Sequence, residues 1–193
     1  MAERSRAARR MSDVPNPARL ALLTGPVGAG KTTAAERVAG LASRRGLTCG
    51  GLLAPAMRNA CGYKVGIWGM DVSAGERRIL ARTDRELGGP TVGPYSFDRA
   101  ALEWAVGVIE SALGRCDLVL VDEIGKLELW QGTGLAPILP HLIAERVSRI
   151  LVVVRRSLLA DLQTRLRGVV PSVFHLNPAN RETLPQQIVD RLF

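Results

Sequence analysis

One short stretch governs what this chain can become. Gly25-Pro26-Val27-Gly28-Ala29-Gly30-Lys31-Thr32 sets a glycine, four residues, then Gly-Lys-Thr, the spacing of a loop that wraps phosphates. Such a loop works only between a buried strand and a helix, and the flanks supply both. Leu20 to Thr24 is a short apolar run, and Thr33 to Ser43 carries Ala34, Val38 and Leu41 at helical spacing. Gly28 and Gly30 let backbone N–H groups turn inward, and the helix adds the partial positive charge of its first turn. The loop is therefore suited to a polyanion. Lys31 is expected to reach the β- and γ-phosphates, and the Thr32 hydroxyl to enter a Mg2+ shell otherwise made of phosphate oxygens and water. The nucleotide-binding segment expected on these grounds runs from Gly25 through Thr33.

A chain of 193 residues fills one α/β core and is short for two. Residues 19–193 are accordingly expected to form one domain, preceded by a flexible basic tail over residues 1–18 that contains Arg4, Arg6, Arg9 and Arg10. The apolar content of 47% suits a mainly parallel sheet covered on both faces. No apolar run is long enough to cross a bilayer, and no apolar segment follows the N-terminal arginines as a secretory signal requires. The expected location is the cytoplasm. Cys49, Cys61 and Cys116 are three in number and lack C-x-x-C spacing, which indicates neither a disulfide framework nor a zinc site. The net charge of +8 raises a nucleic-acid reading, but aromatic residues make up only 4% of the chain and do not alternate with basic ones as a stacking platform would. Attraction of anionic nucleotides is the alternative use of that charge. The oligomeric state is left open, with a monomer favoured.

Along the chain, Thr48 to Ala54 reads as a second strand. Residues 62–82 then alternate around the turn chemistry of Ser73-Ala74-Gly75-Glu76, an antiparallel β-hairpin inserted after that strand. Residues 84–94, with Gly88, Gly89, Pro90 and Gly93, read as a mobile loop and possible lid. Asp98 is the expected N-cap of a helix with Leu102, Ala105, Val106, Ile109 and Leu113 on one face. Pro140 kinks a following helix or marks its start. Further strands are expected at Arg149 to Val154 and Ser172 to Leu176, with helices after each.

Leu118-Val119-Leu120-Val121 is an apolar strand that delivers Asp122 and Glu123 at its C-terminal end, the edge where open α/β sheets bind ligands. With a phosphate loop upstream, Asp122 is placed to support Mg2+ and Glu123 to orient or deprotonate an attacking water. By analogy with proteins that carry such an acid pair, another strand lies between the loop strand and the acidic strand, and Arg149 to Val154 is assigned that slot. Phosphoryl transfer calls for a cation besides Lys31; Lys126, Arg155 and Arg156 are the candidates.

Asp122-Glu123-Ile124-Gly125-Lys126-Leu127-Glu128-Leu129 resembles the acidic signature of the small nucleoside-triphosphatase family, known in animals as cancer-related nucleoside-triphosphatase. Gly51-Leu52-Leu53, Gly62-Tyr63, Asp71-Val72-Ser73-Ala74-Gly75, Val92-Gly93-Pro94-Tyr95 and Asn180-Arg181 are similar to that family in the same order. The resemblance implies a three-layer P-loop NTPase fold and a slow, Mg2+-dependent hydrolase of ATP, GTP and other nucleoside triphosphates. Its nucleotide segments map onto Gly25 to Thr32 and onto Leu118 to Gly125, including Ile124. The chain departs from the family where Gly-Phe-Tyr-Thr and acids are usual, having Gly51-Leu52-Leu53-Ala54-Pro55 instead.

Hydrolysis is the leading reading. A small-molecule or nucleotide kinase is the alternative, in which closure of the 84–94 loop excludes water from a transfer to an acceptor. A nucleotide-dependent switch is the third, although the chain has neither N-K-x-D nor LSGGQ.

Overall fold

The central strands are apolar at nearly every position, successive side chains entering opposite faces of a sheet that is covered on both. In the computed structural model, which describes residues 18–144 and 148–193, these strands are β1 (Leu20–Thr24), β8 (Leu118–Ile124) and β9 (Arg149–Val154). Leu20, Leu22, Val119, Val121, Ile150 and Val152 face one hydrophobic cluster. Ala21, Leu23, Leu118, Leu120, Leu151 and Val153 face the other. The first cluster is closed by α2 (Arg99–Ala112), α3 (Leu139–Ile143) and α4 (Leu159–Arg165), the second by α1 (Lys31–Arg44) and α5 (Leu184–Leu192). Three layers result.

Among the described residues the sheet has ten strands. The others are β2 (Cys49–Leu53), β3 (Ala56–Arg58), β4 (Lys64–Asp71), β5 (Arg77–Arg82), β6 (Gly88–Val92), β7 (Tyr95–Asp98) and β10 (Ser172–His175). Their order is β10-β1-β9-β8-β2-β4-β5-β7-β6, with β3 pairing β4 off this path. The first five run parallel. From β4 onward the pairings are antiparallel. β9 lies between β1 and β8, the slot assigned to it from the acid pair.

Local chemistry explains the helix boundaries. The Asp98 side chain accepts a hydrogen bond from the Ala101 amide at 2.8 Å and starts α2. Pro140 marks a beginning rather than a kink, because it sits in the first turn of α3, where its missing N–H costs nothing.

The stretch 84–94 is not the loop its glycines suggested. Gly88–Val92 pairs with Tyr95–Asp98 across the two-residue turn Gly93-Pro94, and the Leu87 amide donates to Ser96 Oγ at 2.8 Å. Pro90 is tolerated because β6 is the outermost strand of the sheet, where an absent N–H leaves no ladder position empty. The basic tail, apart from Ala18, lies outside the described residues.

Gly51 is the position in the sheet least able to accept a side chain. It pairs with Leu120 across the β2–β8 ladder with a φ of 94°, and a Cβ there would stand 2.2 Å from the Leu120 carbonyl oxygen. We expect Gly51→Ala to destabilise the fold by at least about 3 kcal/mol, since left-handed strain adds to a backbone clash. Gly46 also has positive φ, at 79°, but opens onto free space. Gly46→Ala is expected to cost only about 1 kcal/mol. Urea denaturation midpoints of the two variants check the difference.

Candidate active site

The phosphate loop leaves β1 at Thr24 and enters α1 at Lys31. Gly28 and Gly30 have φ values of 78° and 88°, which side-chain-bearing residues resist. The Lys31 side chain folds back over the loop, where Nζ donates to the carbonyl of Pro26 at 3.0 Å and that of Gly25 at 3.2 Å. Lys31 is 8% exposed. Burial pushes its pKa down, the Glu123 and Asp122 carboxylates push it back up, and the charges of Arg155 and Lys64 add to the fall. Val27 and Thr33 face outward, Val27 with 88% of its surface open.

Asp122 sits near the C-terminal end of β8 and is 2% exposed. Its carboxylate accepts the Ala54 amide at 3.1 Å and lies beside Thr32 of the phosphate loop. Burial lifts its pKa to about 6, against the pull of the Ala54 amide, of Thr32 and of Lys31. Two segments distant in the chain therefore meet through Thr32 and Asp122. A hydroxyl and a carboxylate are hard oxygen donors, which is the chemistry Mg2+ requires of its few protein ligands. Leu118, Val119, Leu120 and Val121, grouped in the sequence with the nucleotide segment, are fully buried. They offer no surface to a ligand and act by placing Asp122.

Glu123 is set apart by a local irregularity. Asp122 pairs with Val153 and Ile124 with Val154, so Glu123 is the extra residue of a register shift. A shift of this kind re-aims a side chain. Glu123 meets Arg155, whose Nε donates to Oε1 at 2.5 Å. Of the three cations that the sequence offered, only Arg155 is in contact with either acid. Lys126 lies over the Trp130 ring, 4.9 Å from its centroid, and Arg156 is exposed in the turn after β9.

Glu128 is the residue that sequence reasoning passed over. It is 4% exposed and accepts the Gly125 amide at 2.7 Å and the Leu135 amide at 3.0 Å. Burial raises its pKa, and those amides oppose the rise. It thereby ties the segment after the acid pair to the turn that precedes α3, with Gly125 held in between. A signal was available, since an acid between Leu127 and Leu129 shares their burial.

The family described as NTPase matches the chain over residues 20–189. A nucleoside-triphosphatase THEP1 of Methanopyrus kandleri is 33% identical over 174 residues, covering 89% of this chain and 93% of the relative. One of Thermofilum pendens is 32% identical over 172 residues, covering 86% and 91%. The solution structure of a human cancer-related nucleoside triphosphatase superposes with a TM-score of 0.69 at 27% identity, covering 90% of this chain and 96% of the other. The crystal structure of THEP1 from Aquifex aeolicus, at 21% identity, shares the fold with a TM-score of 0.70 over 89% of this chain and 97% of that one. No helix among the described residues is long and apolar enough to cross a membrane. With the phosphate loop and acidic strand already convergent, these likenesses show that the chain is an enzyme of the THEP1-type nucleoside-triphosphatase family.

Proposed function

We propose that the chain releases the γ-phosphate from ATP, GTP and other nucleoside triphosphates in a Mg2+-dependent hydrolysis with slow turnover and broad base preference. The observation that carries this reading is the convergence of the buried Asp122 carboxylate with the phosphate loop, within electrostatic reach of Lys31 and beside Thr32. In this scheme the loop amides and the Lys31 ammonium bind the triphosphate tail, the ammonium exchanging carbonyl partners for phosphate oxygens. Thr32 and Asp122 are the residues that would hold Mg2+. When bound, the ion supplies charge neutralisation at the β- and γ-phosphates.

Glu123 orients a water and accepts its proton as the water oxygen bonds to the γ-phosphorus. The bridging bond to the β-phosphate then breaks, leaving a nucleoside diphosphate and inorganic phosphate. Arg155 positions the Glu123 carboxylate through the 2.5 Å contact, with further N–H donors for charge developing on the γ-phosphoryl oxygens. Every group named here addresses phosphate or water, which supports the broad base preference. We assign the reaction to the cytoplasm, a reducing compartment suited to the free thiols of Cys49, Cys61 and Cys116.

The test is phosphate release from ATP, GTP, CTP and UTP without an added acceptor. Release is expected from all four at rates within about tenfold of one another, the worth of roughly one hydrogen bond. EDTA is expected to lower each at least about a hundredfold. Release that required an added acceptor would instead establish a kinase.

A further inference from the structure

A triphosphate bound at this site has a direction. The phosphate loop leaves β1, while Asp122 and Glu123 stand on β8, which β9 separates from β1. The acids are thus two strand spacings, about 10 Å, to one side of the loop strand. A terminal phosphate that meets the water held by Glu123 lies on that side. The nucleoside, at the other end of the row of phosphates, leaves on the opposite side, where the neighbour of β1 is β10.

The segment that follows β10 is built onto the phosphate loop. His175 pairs with Thr24, and the Leu176 amide donates to the Thr24 carbonyl at 2.7 Å. A Cβ on Gly25, the first residue of the phosphate loop, would stand 2.7 Å from the Leu176 carbonyl oxygen and 3.3 Å from the Leu176 Cβ. The two segments touch with no room for a side chain between them, which accounts for a glycine at that position.

Asn180 gives the segment its shape. Its Oδ1 accepts the Asn177 amide at 2.9 Å, and its Nδ2 donates to the His175 carbonyl at 2.8 Å. The Asn177 Oδ1 accepts the Ala179 amide at 2.9 Å and the Asn180 amide at 3.1 Å. Arg37 of α1 secures the far end through Glu182 at 2.6 Å. Asn177, Pro178 and Ala179 are left exposed. Pro178 and Ala179 offer apolar surface, which packs against a ring or a sugar without reading the edge of a base.

We propose that residues 177–181 form the nucleoside subsite, a shelf for the sugar and base that Asn180 holds in place and that discriminates little between bases. The inference rests on the triphosphate reading above and adds to it the part of the ligand that the phosphate loop and the acids do not reach. Asn180 is a positioning residue, since both ends of its side-chain amide are committed to the turn.

The test has two arms, both on the full-length chain with Mg2+. Photolabelling of the wild type with 8-azido-ATP is expected to place the label in the tryptic peptide of residues 168–181, which lies between Arg167 and Pro178-Ala179-Asn180-Arg181, and excess ATP is expected to suppress it. In titrations, Asn180→Ala is expected to weaken the non-hydrolysable β,γ-imido analogue of ATP by about tenfold, the worth of roughly one hydrogen bond. Inorganic tripolyphosphate, which has no nucleoside, is expected to bind the variant within about twofold of wild type, a result that a general loss of structure would not give. Label confined to other peptides, equal losses for the two ligands, or no loss for either would overturn the proposal while leaving the triphosphate reading intact. If the wild-type chain bound neither ligand, that reading would fall and the proposal with it.

Discussion

Glu123→Gln is expected to lower phosphate release by about two to four orders of magnitude, the range for loss of a general base, with the affinity for nucleoside triphosphate nearly unchanged. The substitution is informative because of Arg155. An amide oxygen accepts a hydrogen bond from Arg155 Nε much as the carboxylate oxygen does, so the 2.5 Å contact of the wild type has a near-equivalent in the variant. Only the capacity to take a proton from water is lost. If Glu123 served merely as a partner for Arg155, the glutamine variant would turn over within about threefold of wild type. Single-turnover phosphate release, together with nucleotide titration, separates the two outcomes.

Lys31→Ala is expected to act on binding as well as on rate. The ammonium is held over the loop by two carbonyls and has little surface of its own, so the wild-type loop is arranged around it. Removing it takes away charge-assisted hydrogen bonds to phosphate of about 1.5–3 kcal/mol each. We expect nucleotide affinity to fall by about tenfold to a hundredfold and release of phosphate to become undetectable. Titration with a nucleoside diphosphate tests this directly, because Lys31 is assigned to phosphates that ADP retains in part. An unchanged affinity would remove Lys31 from the nucleotide site.

The phosphate loop and acidic strand were legible because their signals are local. A glycine-lysine-threonine spacing and an apolar run ending in two acids carry their meaning within a few residues, and the strand between them followed from the acid pair. The residues that stayed hidden depend on pairings the local pattern does not record. β6 was masked by Gly88, Gly89 and Pro90, which read as loop chemistry unless the strand is known to be outermost. Glu128 looked like one more charge in a signature until its burial between two amides was visible. The contact between Arg155 and Glu123 likewise depends on a one-residue slip between β8 and β9.

The strand that launches the phosphate loop is paired on both sides by late-arriving chain. β1 is flanked by β9 and β10, which begin at Arg149 and Ser172. During synthesis, Leu20 to Thr24 leave the ribosome more than a hundred residues ahead of their partners and wait without a ladder until those follow. Long-range pairing of this kind is slow. A nascent chain ending before residue 149 therefore has no β9 to hold the loop and the acids at one edge, and nucleotide cannot rescue it by binding early. Competence for ligand arrives only once β9 and β10 have been made.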